Sequence, residues 1–141
     1  MTVDLQQARA KAVTRLLAIA EALKAEAGVT SHHVRKGLSG RAWPSFGLIQ
    51  APEGKTRKQL YILAHECAHV VLHKNPGRKP SYVREHEAEM WAHAALRRHG
   101  VAVPKEMTKR AKRYVAQKLR AARKQGLKQV DAAALRFCSE D

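Results

Sequence analysis

At 141 residues the chain is long enough for one domain with a real core and too short to expect a second catalytic domain. Composition excludes several classes: no stretch approaches the roughly 18 apolar residues of a membrane span, MTVDLQQARAKAV lacks the features of a signal peptide, and Cys67 and Cys138 make no disulfide framework. A formal charge of +15 attracts polyanions or acidic proteins without specifying any chemistry, so the expectation is a cytoplasmic protein with reduced thiols and no membrane partner.

From Asp4 to Ala27, apolar or small residues recur at positions 5, 8, 12, 16, 19 and 23, the spacing of one helix face, with Asp4 as a candidate cap and Gly28 as a stop. Between Val29 and Gly54 the pattern changes, because glycines and prolines interrupt short apolar pieces such as RAWPSFGLIQA. Two or three short strands, paired as a small antiparallel sheet, are predicted there.

Thr56 is placed to cap a helix reaching Lys74, with Leu60, Leu63, Cys67, Val70 and Val71 turned to a core, and NPGRKP ends it. Ser81 is the expected cap of a third helix that runs to His99 before Gly100. A fourth opens at Pro104 or Lys105 and carries an apolar stripe of Met107, Ala111, Tyr114, Val115, Leu119 and Ala122 as far as Gly126. A short helix from Gln129 to Phe137 closes the pattern. These elements predict a mostly helical α+β domain over 1–141, divided into an N-terminal helix (1–28), a small sheet (29–55), two central helices (56–104) and a basic helical part (105–141).

Chemistry concentrates in ILAHECAHVVLH, residues 62 to 73. Four residues on a helix turn roughly 400°, so His65 and His69 leave nearly the same face one turn apart and can bridge one metal ion. Zinc takes imidazole nitrogens at about 2.0–2.1 Å, and Glu66 lies close enough to reach a metal-activated water without displacing it. His73, a further turn along, is out of tetrahedral reach, and a metzincin glycine and third histidine are missing, since Leu72 and Asn75 stand at those positions. A carboxylate from the next helix remains, and YVREHEAEMWAHAAL offers Glu85, Glu87 and Glu89. Glu85 is preferred because it shares a face with Ala88, Ala92 and Leu96, the apolar stripe of a helix packed on the histidine helix. Glu89, one turn on, is placed to accept a hydrogen bond from the far nitrogen of a metal-binding histidine.

HECAHVVLH followed by REHEAEMWA resembles the gluzincin metallopeptidases, and within them the ImmA/IrrE family, whose HExxH helix often continues to an L-H pair and precedes a helix of the form E-x-x-A-(D/N)-x-F-A. The resemblance covers Thr56 to Pro104. It implies a zincin-like fold with zinc held by His65, His69 and Glu85, Glu66 as general base, and a protein or peptide substrate such as a repressor or antitoxin. Ala88 and Ala92 fall on the motif's alanines and Trp91 on its aromatic, while Glu89 replaces the usual Asp or Asn and LRRHGVAVP departs from the family's L-L-x-P. The chain is similar in length to SprT-like proteases as well, whose third ligand is a histidine; His93 and His99 are the candidates for that arrangement.

Three further expectations complete the picture. Tyr82, His86, His99 and Tyr114 are the candidate donors to a developing oxyanion. The segment Ser45 to Ile49 is a candidate edge for strand-like substrate. The basic residues from Arg97 to Lys128, opposed only by Glu106, form either a solvated helix face or a surface for phosphates, which defines the alternative of a nucleic-acid-binding protein with a structural or vestigial metal site. None of these features sets an oligomeric state.

Overall fold

The computed structural model describes residues 2–139. Met1, Glu140 and Asp141, which the single-domain expectation includes, lie outside the described residues. Five helices and three strands follow in the order α1 (Thr2–Ala27), β1 (Ser31–Val34), β2 (Arg41–Trp43), β3 (Leu48–Ala51), α2 (Arg57–Leu72), α3 (Ser81–Arg98), α4 (Lys105–Lys124) and α5 (Ala132–Ser139). The domain is thus α+β and mostly helical. Among the described residues, no helix is long and apolar enough to cross a membrane.

The histidine helix, α2, lies at the centre. Thr56 caps it by accepting from the Gln59 backbone N–H, a contact worth about 1 kcal/mol. Leu60, Leu63, Cys67 and Val70 are fully buried, and α2 packs on α1, α3 and the sheet at once. A helix wedged on several sides holds its remaining polar face in a fixed direction, and truncating Leu63 to alanine is expected to cost about 2–5 kcal/mol. Ser81 does not cap α3 as expected: Pro80 occupies that position without a side-chain bond, and Ser81 is the first helical residue.

The sheet is mixed, with strand order β1-β3-β2. Only β2 and β3 pair antiparallel, through the 3-10 turn Pro44–Phe46 and Gly47, whose φ of 63° places it in the left-handed region; β1 runs parallel to β3 in the register Ser31↔Leu48 to Val34↔Ala51. The all-antiparallel expectation fails at β1 because residues 35–40 carry the chain past β3 before β2 begins. Ile49 and Ala51 are wholly buried, whereas β1 and β2 are largely open, so the most apolar strand takes the centre. Ser45 to Ile49 consequently forms no edge: the free edge on that side belongs to β2.

Helix α1 divides in two. Leu5 is 52% exposed and Ala8 and Ala12 are exposed too, while Ile19 and Leu23 are buried, so the predicted stripe packs only in its second half. Helix α4 buries Met107, Ala111, Val115 and Leu119, one residue per turn, and leaves most of its cations in solvent. Tyr82, Val115, Leu119 and Ala134 form a second, smaller core beneath α5. Asp131, through its side chain, accepts from the Ala134 N–H at the start of that helix.

Candidate metal centre

One face of α2 and the first two turns of α3 meet at the floor of an open cleft of about 810 Å³. The Nε2 atoms of His65 and His69 are 3.2 Å apart. Glu85 completes a triangle: its Oε1 lies 3.1 Å from His65 Nε2, and its Oε2 lies 3.1 Å from His69 Nε2. Bonds of about 2.0–2.1 Å in a tetrahedral site separate ligand atoms by roughly 3.3 Å, so this donor set has the size and chemistry of three zinc ligands. Among the described residues, His65, His69 and Glu85 are the one group able to share an ion in this way.

Each histidine is oriented from behind. Glu89, 4% exposed, accepts from His65 Nδ1. His69 Nδ1 lies 2.9 Å from His73 Nδ1, and His73 Nε2 lies 2.9 Å from Glu87 Oε1. With Nε2 turned to the donor triangle, neutral His69 carries its proton on Nδ1 and donates to His73, which carries its own on Nε2 and donates to Glu87. Burial holds the His73 pKa below the usual imidazole value, consistent with that neutral form. Lys79 donates to both Glu87 oxygens and anchors the end of the chain. His73 is thus both the C-cap of α2, its backbone N–H bonding the His69 carbonyl at 2.9 Å, and the side chain that orients His69. Its i, i+4 spacing from His69 was the available signal.

The electrostatics favour a cation. Burial acts to lower the His65 pKa, but Glu89 and Glu85 outweigh it and raise the pKa well above the ordinary value. Burial acts to raise the Glu85 pKa, yet the imidazoles of His65 and His69 set against it hold it well below the carboxylate range. Glu66 is 7% exposed and lines the same cleft; burial raises its pKa, opposed by His65 and His69. A methyl group at Gly40 would sit 2.7 Å from Glu66 Oε2 and 2.8 Å from the Gln50 carbonyl oxygen. Glycine thus lets the backbone entering β2 press against the carboxylate, a contact that local sequence gave no reason to expect.

The other candidates fall elsewhere. His93 donates from Nδ1 to the Glu89 carbonyl at 2.6 Å, with the Tyr61 hydroxyl 3.1 Å from the same nitrogen, and Thr108 lies 2.9 Å from Nε2. His99 pairs with Glu26 through Nε2. Neither lines the cleft, so the arrangement with a third histidine finds no ligand in them. Of the four oxyanion candidates, Tyr82 bonds the Asp131 backbone N–H, His86 lies against Phe137, and only Tyr114 faces the cleft. Burial and then Glu85, Glu66 and Glu89 push the Tyr114 phenol up to about 12, which keeps it a hydrogen-bond donor at neutral pH.

Compared with protein families, curated proteins and solved structures, the chain finds no match.

Proposed function

We propose that this protein is a zinc-dependent endopeptidase of the ImmA/IrrE-like gluzincin type, acting in the cytoplasm on a protein substrate such as a regulator. The observation that carries the reading is the triangle of His65 Nε2, His69 Nε2 and Glu85 Oε1, with edges of 3.1–3.3 Å, at the floor of a cleft that Glu66 also lines. His65, His69 and Glu85 would hold the ion, leaving the side towards the cleft for water and substrate. Bound there, zinc makes water acidic near neutral pH and polarises a carbonyl oxygen.

The chain's own residues supply the rest. Glu66, with its carboxyl pKa raised by burial, takes the proton from the attacking water and returns it to the leaving amine. Tyr114 donates to the oxygen on which negative charge develops. Because β2 pairs on one side only, a substrate in extended form adds to its free edge next to Gly40, Arg41 and Ala42, all of which line the cleft.

Elemental analysis with hydrolysis of unfolded casein tests this reading. One zinc per chain is expected in the wild type and in Glu66→Gln, with hydrolysis lost in the latter and both zinc and hydrolysis lost in His69→Ala. Wild-type protein that takes up no stoichiometric zinc from chelator-free buffer overturns the proposal.

A further inference from the structure

The walls of the cleft carry charge of the opposite sign to its floor. Arg41 on β2, Lys74 after α2, Arg84 on α3, and Arg110 and Arg113 on α4 all line it. Four separate segments thus bring cations to one opening. On α4, Arg110, Arg113, Tyr114 and Gln117 follow i, i+3, i+4, i+7 spacing, the side of the helix next to its buried stripe.

Among the described residues, none of these five cations has a carboxylate partner. Arg110 donates to the Leu38 carbonyl at 2.6 Å, and Arg41 lies over the Trp43 ring, contacts that fix position without neutralising charge. Arg84 is the most telling. Its Nε is shut off from solvent and has no acceptor among the described residues, a costly seat for a charged donor that a carboxylate in the cleft would relieve by drawing the guanidinium outward. Against the five cations the floor sets Glu66, Glu85 and Glu89, a surplus of two positive charges before any metal ion is counted.

We infer that the cleft selects polypeptide segments rich in aspartate and glutamate, with Arg84 and Arg113 reading the acidic side chains that flank the bond held over the floor. This inference rests on the peptidase reading for the place of that bond. The free edge of β2 favours a polypeptide, because it offers main-chain pairing that a nucleic acid cannot use. Tyr114 is the one aromatic ring of the lining that is well exposed, too little for base stacking. Charges inside a cleft act within the Debye length of about 8 Å, so they reach its occupant even at physiological salt.

The test is fluorescence anisotropy with a labelled peptide carrying alternate glutamates, its glutamine counterpart and a single-stranded oligonucleotide of equal charge. All are titrated into the full chain bearing Glu66→Gln, which prevents cleavage. The acidic peptide is expected to bind at least about tenfold tighter than its counterpart. Arg84→Gln with Arg113→Gln should remove most of that preference, whereas Arg97→Gln with Arg120→Gln, an equal charge loss outside the cleft, should leave it within about twofold. Thermal melts by circular dichroism establish that both pairs fold.

Equal weakening by the two pairs, or equal binding of the two peptides, overturns the inference. So does tighter binding of the oligonucleotide through Arg84 and Arg113, which assigns the cleft to nucleic acid. Zinc content and casein hydrolysis, measured without the Glu66 substitution, separate the two claims. Charge selectivity without zinc or hydrolysis defeats the peptidase reading alone, and hydrolysis without charge selectivity defeats this inference alone.

Discussion

The floor of the cleft and its walls use charge in opposite ways. On the floor, polar groups are bonded into chains: His65 to Glu89, and His69 through His73 and Glu87 to Lys79. On the walls, Lys74, Arg84 and Arg113 have no ion-pair partner among the described residues. The chain has only 12 acidic residues against 27 lysines and arginines, yet Glu66, Glu85, Glu87 and Glu89 all lie in or behind this one site. Such placement favours a cation at the floor and an anion at the walls.

The largest expected effect breaks the floor. Glu85→Ala should abolish stoichiometric zinc, since it removes one of three donors and leaves two imidazole nitrogens facing each other. Glu87→Gln should retain zinc, because Glu87 reaches His73 rather than the donor triangle. Equal metal loss in both variants would mean that the acidic cluster, rather than the triangle, holds the ion.

A smaller effect separates position from binding. Gly40→Ala puts a Cβ within 2.7 Å of Glu66 Oε2 and should lower kcat by about a hundredfold, the penalty of displacing a catalytic group by roughly an ångström. Zinc content should be unchanged. Loss of zinc together with activity would show that the displacement spreads to His65.

Next comes the wiring behind His69. His73→Ala should weaken zinc binding by about 10–100-fold in a chelator competition, the usual effect of losing the partner that orients a ligand. His73→Gln, which can still accept from His69 Nδ1, should recover part of it. A role for His73 in capping alone predicts instead a small loss of thermal stability and no change in zinc affinity.

The sequence made one half of this arrangement readable. His65, Glu66, His69, Glu85 and Glu89 lie on two helices, and helical periodicity places side chains from local spacing alone. Thr56 as a cap is a local signal of the same kind. What escaped depends on contacts between distant segments. Gly40 meets Glu66 only because β2 is carried to the far side of β3, and strand order leaves no trace in a run of residues as short as Arg41–Trp43. The parallel pairing of β1 escaped for the same reason. The first half of α1 has the apolar spacing of a packed helix, but periodicity does not say whether a partner is present. The role of His73 was within reach of its i, i+4 spacing from His69, but spacing alone does not separate a ligand from the group that orients one.

The smallest effect reads the charge of the floor from the wall. Tyr114 has its phenol pushed up to about 12, by burial first and then by Glu85, Glu66 and Glu89. In the unfolded chain a tyrosine ionises near pH 10. The folded state therefore keeps a proton that the unfolded state releases, and stability falls as pH rises from about 10 to about 12, by the linkage between proton binding and folding. Tyr114→Phe should show a shallower decline, the remainder coming from buried Tyr61, whose pKa burial also raises. An ultraviolet difference titration of wild type against Tyr114→Phe isolates the phenol, and zinc sharpens the comparison. A divalent cation among Glu66, Glu85 and Glu89 offsets their repulsion of the phenolate but not the burial, so zinc loading should move the titration towards lower pH. A titration indifferent to zinc would place the metal too far from Tyr114 for this residue to assist chemistry at the floor.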